Sequence, residues 1–105
     1  MEYTIDLQKI AESLDFDLED IEMLMEVFLE GANESLAALK EAIDSNDMDG
    51  IYKSAHFLKG SSANLTLADI SELAREIELN AREQNTIEYA SKYNELKNMV
   101  DALIK

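Results

Sequence analysis

The sequence predicts an all-α protein: an antiparallel four-helix bundle with a short additional N-terminal helix, formed as a single domain over residues 1–105. The chain contains no proline and only three glycines, so few positions interrupt a helix. Apolar residues recur at spacings of three and four, the period of an amphipathic helix. Short polar connections between these segments favour antiparallel neighbours, and 105 residues suffice for one core.

The first two helices are predicted at residues 3–14 and from residue 18 onward. Asp15 and Asp17 offer N-caps for the second helix. Gly31 interrupts that helix at a cost of about 1 kcal/mol, too little to break it. The apolar stripe of the first helix is Tyr3, Leu7, Ile10 and Leu14. The stripe of the second is Leu18, Ile21, Met25, Phe28, Ala32, Leu36, Leu39 and Ile43.

Three further helices follow. Residues 45–47 are predicted to form a turn and cap before the third helix, and residues 84–86 a turn before the last. Thr66 and Asp69 resemble a capping box that opens the fourth helix. The third stripe is Ile51, Ala55, Leu58, Ser62 and Leu65. The fourth is Leu67, Ile70, Leu73, Ala74, Ile77 and Ala81, and the last is Tyr89, Tyr93, Leu96, Val100 and Leu103.

The amino-acid composition of the chain excludes several classes of site and partner. The absence of cysteine excludes disulfides, zinc ribbons and thiol chemistry and favours a reducing, cytoplasmic setting. A net charge of −14 argues against nucleic acid and anionic membrane surfaces as partners. No apolar run approaches the roughly 20 residues of a membrane span, and no signal peptide is evident. Residues 1–50 hold 15 acidic and two basic residues, whereas residues 51–105 hold eight and seven. An anion therefore meets less repulsion in the second half.

The single histidine, His56, lies in that second half. At about 100° per residue, it points roughly 140° away from the third apolar stripe and should face solvent. Its neighbours on the same side of the helix are Tyr52, Lys59, Gly60 and Ala63. A surface histidine without such context is most often a plain solvated side chain, so the interpretation depends on these neighbours.

Each neighbour has a use if the imidazole accepts a phosphoryl group. The Lys59 ammonium can offset phosphoryl charge, and Gly60 leaves room for another protein to approach the ring. Glycine inside a helix costs roughly 1 kcal/mol, and a surface position gives no packing reason for it. Tyr52 is interpreted as an amphipathic residue covering the shoulder of the bundle. Ser62, on the core stripe, allows close helix packing.

The run from Ala55 to Leu65, AHFLKGSSANL, resembles the signature of histidine-containing phosphotransfer (HPt) domains of two-component phosphorelays. The acidic long helix before it, the turn at residues 46–47 and the segment of residues 73–78 resemble the family's layout over essentially the full chain. The resemblance implies that His56 accepts a phosphoryl group from a receiver aspartate and passes it to another receiver aspartate. Lys59 and Gly60 carry over as the phosphate-neutralising side chain and the clearance for the receiver. The implied partners are receiver domains of response regulators and hybrid histidine kinases.

One position departs from that signature. The glycine that usually follows the leucine is Thr66 here. Because this position opens the next helix, we interpret Thr66 as a substitute cap. The departure affects the turn and not the residues to which the resemblance assigns the chemistry.

The chain is expected to be a phosphoryl carrier, not an enzyme. It has no Gly-rich phosphate loop and no expected ATP site. It should need no cofactor of its own, with Mg²⁺ brought by the partner receiver, and it should be a monomer. Glu78, at a position where the family often has a polar residue, is expected to accept a hydrogen bond from Nδ1 of His56 and leave Nε2 as the nucleophile. The alternative, that Glu78 is only a flanking acid, stays open.

Receiver recognition should use an exposed apolar patch near His56, with Phe57, Leu14 and Leu29 as candidates. Phe57 could instead lie against the short first helix. A helical adaptor without chemistry is the main alternative function, but it leaves Gly60 unexplained. A di-iron bundle needs Glu-x-x-His pairs, whereas Lys53 precedes His56 by three residues and no second histidine exists.

Overall fold

The computed structural model of the chain describes residues 7–103, with residue 7 described by its backbone alone. These residues form helices and no strand. The helices are α1 (Leu7–Leu14), α2 (Leu18–Asp44), α3 (Met48–Asn64), α4 (Ala68–Arg82) and α5 (Tyr89–Asp101). The all-α prediction is therefore confirmed for this part of the chain. Tyr3, predicted to belong to the first helix, lies outside the described residues.

The helices pack around one apolar core. Helix α3 packs against α2 and α4, α5 packs against α2 and α4, and α1 packs on α2. The predicted stripes of α3 and α4 are buried along their whole length. At the start of α2 the stripe is wrong, because Leu18 is 41% exposed. Near its end Ala42 is buried, and Ile43 packs against the core while only partly buried. No helix in the described range is long and apolar enough to cross a membrane.

The turns between the helices share one construction. Asp15, Asn46, Thr66 and Gln84 all adopt left-handed backbone conformations, with φ between 56° and 58°. In each case the following residue donates its N–H to a carbonyl five residues back, which is the Schellman motif that ends a helix. After α3, the Thr66 N–H bonds to Ala63 O at 3.0 Å and the Leu67 N–H bonds to Ser62 O at 2.9 Å.

This geometry corrects two predicted caps. Thr66 ends α3 and does not open α4, whose N-cap is Leu67 without a side-chain cap bond. Asp15 likewise ends α1, and the Asp17 carboxylate, at the N-cap of α2, makes no cap bond. The cap predicted within residues 45–47 is confirmed at Asp47, because its carboxylate accepts a hydrogen bond of 3.1 Å from the Gly50 N–H at the start of α3. Thr66 and Asp15, in contrast, end the preceding helix and do not cap the next one.

Candidate functional site

The buried inner face of α3 holds this helix, which carries His56, in position against the core. Ile51, Ala55, Leu58 and Ser62 are fully buried or nearly so. Ser62 donates its hydroxyl hydrogen to Leu58 O, one turn back in the same helix, so a polar group is satisfied without interrupting the apolar face. On α4, the Ser71 hydroxyl donates to Lys59 O at 3.0 Å. This bond ties α4 to α3 beside the residue that carries the predicted phosphate-neutralising side chain.

His56 lies on the opposite, outer face of α3. Its side chain is 59% exposed, in agreement with the predicted orientation toward solvent. The ring of Tyr52, one turn earlier, stacks on the imidazole with ring centroids 5.8 Å apart and an interplanar angle of 18°. Tyr52 also packs against the core. It therefore covers the shoulder of the helices, as interpreted from the sequence, and contacts the histidine ring as well.

Glu78 of α4 joins the two basic side chains of this face. Its side chain is only 5% exposed. One carboxylate oxygen, Oε2, is hydrogen-bonded to Nδ1 of His56, and the other, Oε1, accepts a hydrogen bond of 2.8 Å from the Lys59 ammonium. The structure thus brings together three of the predicted site residues, His56, Lys59 and Glu78. The contact with Nδ1 leaves Nε2 as the ring nitrogen not engaged by Glu78.

The charge state of Glu78 follows from the balance of its surroundings. Burial alone would raise the pKa of this carboxyl, but the hydrogen bonds from Lys59 and His56 and the charge of Lys59 outweigh burial and leave the pKa below its ordinary value. Glu78 is therefore ionised at neutral pH and can only accept hydrogen bonds. The proton of the contact with His56 accordingly resides on Nδ1.

Gly60 stands one turn after His56 in open space. A Cβ built at this position would have no neighbouring atom within 4 Å. Packing within the protein therefore does not require glycine here, although glycine is among the poorest residues in a helix interior.

The apolar surface next to His56 differs from the prediction. Leu14 and Leu29 pack against the core, so they are not part of an exposed patch. Phe57 is 48% exposed, and its ring lies over Gly31 of α2, not over α1: a Cβ at Gly31 would be 3.2 Å from Phe57 Cζ. The close approach of this ring accounts for the glycine inside α2.

The exposed apolar residues that sequence reasoning missed include Phe16, which precedes α2 and is 48% exposed, and three residues on α2. Met23 is 63% exposed, Leu24 39% and Val27 69%, and we call these three the α2 strip. The signal was present in the sequence, because three apolar residues lie off the core stripe of an otherwise acidic helix.

Among residues 7–103 no group of three or more His, Cys, Asp or Glu side chains could hold a metal ion.

Comparison with protein families agrees with this site. A family model described as "Hpt domain" matches residues 23–105. The chain therefore belongs to the Hpt domain family, whose members are phosphoryl carriers of phosphorelays that interact with receiver domains. The match includes most of α2 and all of α3, α4 and α5. A comparison with curated proteins and another with solved structures each found no match.

Proposed function

We propose that this protein accepts a phosphoryl group on Nε2 of His56 from the aspartate of one receiver domain and transfers it to the aspartate of another. The observation that carries the proposal is the contact of Nδ1 with the ionised Glu78 carboxylate, beside an imidazole that is more than half exposed. A ring held in this way offers the lone pair of Nε2 to an incoming phosphorus atom. The partners are receiver domains of response regulators and hybrid histidine kinases.

In the accepting step, the Nε2 lone pair forms a bond to phosphorus while the bond from phosphorus to the receiver's aspartyl oxygen breaks. The electron pair of that bond returns to the carboxylate. The ring becomes an N-phosphoimidazolium that keeps its Nδ1 proton. The receiver supplies Mg²⁺ and the phosphorylated aspartate, so this chain contributes a positioned nucleophile and no cofactor.

Lys59 and Gly60 serve the same step. Lys59 is one turn from His56 and 32% exposed, with its ammonium held by Glu78. The ammonium can therefore offset the charge that arrives with the phosphoryl group. Gly60 presents no side chain in the space that the receiver must enter, which is consistent with the open surroundings of its Cα.

The receiver is proposed to dock on the α2 strip together with Phe57. These side chains are exposed and apolar, and Phe57 directly follows His56. The contact of Phe57 with Gly31 joins α3 to the surface of α2. An apolar docking surface beside a reactive group is how transient partners orient a group for transfer.

We further propose that residues 1–105 form one domain in which α2, α3, α4 and α5 make an antiparallel four-helix bundle. The short turns and the packing of each of these helices against two others support that arrangement. The protein is proposed to act as a cytoplasmic monomer.

The test is incubation with a receiver domain that carries a radiolabelled aspartyl phosphate. The wild-type protein should acquire label in an acid-labile, alkali-stable linkage and deliver it to a second receiver. His56→Gln should acquire none, since an amide cannot act as the nucleophile. Label that never transfers, or that reaches His56→Gln equally, would overturn the proposal and favour a non-catalytic adaptor.

A further inference from the structure

We infer that Glu78 and Tyr52 together stabilise the positive charge of the phosphorylated His56 ring and so keep it competent as a phosphoryl donor. The inference rests on the proposed function and extends it from acceptance to onward transfer. It assigns a role to Tyr52 that the sequence interpretation did not give it.

The charge of the ring decides whether it can give up the phosphoryl group. In onward transfer, an aspartyl oxygen of the second receiver bonds to phosphorus, the bond between phosphorus and Nε2 breaks, and the electron pair returns to Nε2. If Nδ1 still carries its proton, the leaving group is neutral imidazole. If that proton has been lost, the leaving group is an imidazolate anion, which is a far poorer leaving group. The protein must therefore hold the Nδ1 proton while the phosphoryl group is attached.

Glu78 is placed to hold that proton. Its carboxylate is hydrogen-bonded to Nδ1 itself and is almost fully buried. A hydrogen bond to an ionised acceptor is about twice as strong as one between neutral groups. Replacing the carboxylate by an amide would keep a hydrogen-bond acceptor near Nδ1 but remove the negative charge. Orientation of the ring and stabilisation of its charge can therefore be separated at this residue.

Tyr52 acts on the face of the same ring. Its aromatic ring lies 5.8 Å from the imidazole, centroid to centroid, in a stacked arrangement. A cation within about 6 Å of an aromatic ring is attracted by the electrons of that ring. The neutral imidazole gains little from this contact, but the phosphoimidazolium gains from it directly. Tyr52 is thus a positioning residue whose effect appears after phosphorylation.

The other charged group at the ring does not cancel these effects. Within residues 7–103, the titratable side chains that contact the ring or its partner Glu78 are Tyr52 and Lys59 from α3 and Glu78 itself from α4. The Lys59 ammonium opposes a cationic ring, but it is paired with Oε1 of Glu78, and the incoming phosphoryl group adds negative charge beside it. The phosphorylated site therefore favours a positive ring.

Nitrogen-15 NMR of the phosphorylated protein measures the protonation of Nδ1 directly, because His56 is the only histidine in the sequence. Labelled protein is loaded with phosphoramidate, a small phosphoryl donor that needs no receiver. The pH at which Nδ1 loses half of its proton is then read from the ring nitrogen shifts. Relative to wild type, that midpoint should fall by about one pH unit in Glu78→Gln. It should fall by about half a pH unit in Tyr52→Leu.

Two matched variants serve as controls. Tyr52→Phe keeps the aromatic face and should retain the wild-type midpoint. Glu76→Gln removes one carboxylate from the same helix, a carboxylate that pairs with Lys92 at 3.3 Å, and should also retain it. A Glu78→Gln midpoint equal to that of Glu76→Gln would overturn the role of Glu78. A Tyr52→Leu midpoint equal to that of Tyr52→Phe would overturn the role of Tyr52. Phosphoramidate phosphorylates the protein without a receiver. A failure of transfer from the receiver would therefore refute the proposed function without changing the outcome of this NMR measurement.

Discussion

The two faces of α3 differ in what determines their residues. The inner face carries Ile51, Ala55, Leu58 and Ser62, all buried, and each of them contributes to packing. The outer face carries Tyr52, His56, Lys59 and Gly60 and depends on a buried carboxylate, Glu78. Neither an interior glycine without a packing partner nor a buried charge is what stability alone would select. The face that is proposed to be functional is therefore the one that departs from the rules of helix stability.

The two interior glycines sharpen that comparison. At Gly31 a Cβ would crowd Phe57, so the glycine is explained by packing. At Gly60 a Cβ would meet nothing. No contact within the described part of the protein requires the glycine at position 60. It is explained by the proposed approach of a receiver domain to His56, one turn earlier.

The largest effect on stability is expected on the inner face. Leu58→Ala should lower the free energy of unfolding by about 3 kcal/mol, because Leu58 is fully buried and its truncation leaves a cavity. Met23→Ala, at a position that is 63% exposed, should change it by less than about 0.5 kcal/mol and weaken receiver binding instead. Urea unfolding checks both values. Equal losses of stability at the two positions would contradict the division between core and docking surface.

Gly60→Ala tests whether function opposes stability on the outer face. The substitution should raise the free energy of unfolding by about 0.5–1 kcal/mol, since alanine is the better helix former and meets no clash. It should also slow phosphoryl transfer from a receiver several-fold. Gly31→Ala is the matched control, in which contact with Phe57 offsets the gain in helix propensity. A stabilised Gly60→Ala protein with unchanged transfer rate would remove the clearance role.

The lowered pKa of Glu78 predicts that the free energy of unfolding depends on pH. Its pKa is lower in the folded protein than the ordinary value of 4.5, so its ionised form stabilises the fold above about pH 4.5. That contribution is lost as the pH falls through the lowered pKa of the folded state. Glu78→Gln should therefore lose less stability between pH 6 and pH 3 than wild type does, whereas Glu76→Gln should follow wild type more closely. Thermal unfolding across this range measures the difference, and parallel curves for wild type and Glu78→Gln would refute it.

The smallest effect is expected at the turn after α3. Thr66 has φ of 58°, a conformation that is unfavourable for a β-branched residue by about 1 kcal/mol or more. Thr66→Gly should stabilise the protein by about 0.5 kcal/mol, because relief of strain exceeds the added entropy of the unfolded chain. Denaturant unfolding can resolve this change. A destabilised Thr66→Gly would show that the threonine side chain contributes more than its backbone strain costs.

Much of the helical organisation could be predicted from the sequence. The apolar period locates α3 and α4, since their stripes are regular and every member is buried. The orientation of His56 follows from the same period. The contact of Glu78 with Nδ1 was proposed from a family resemblance, and its distance in sequence, 22 residues from His56, gives no local signal of contact.

The remaining features depend on tertiary structure. The side chains of Thr66 and Asp15 favour N-caps, whereas both residues adopt the left-handed conformation that ends the preceding helix. Glycine would have signalled that conformation, and neither position has it. The contact of Phe57 with Gly31 does not follow from helix periodicity, because periodicity does not specify how two helices are rotated against each other. For the same reason, periodicity does not distinguish the exposed α2 strip from Leu29, which packs on the core.

The central claim is that His56 carries the phosphoryl group on the nitrogen that Glu78 leaves unengaged. It is tested most directly by phosphorylating ¹⁵N-histidine-labelled protein with a phosphorylated receiver and identifying the substituted nitrogen by ¹⁵N and ³¹P NMR. The structure predicts a phosphoryl group on Nε2 of His56, with the proton retained on Nδ1. A phosphoryl group on Nδ1, or on any other residue, would contradict it.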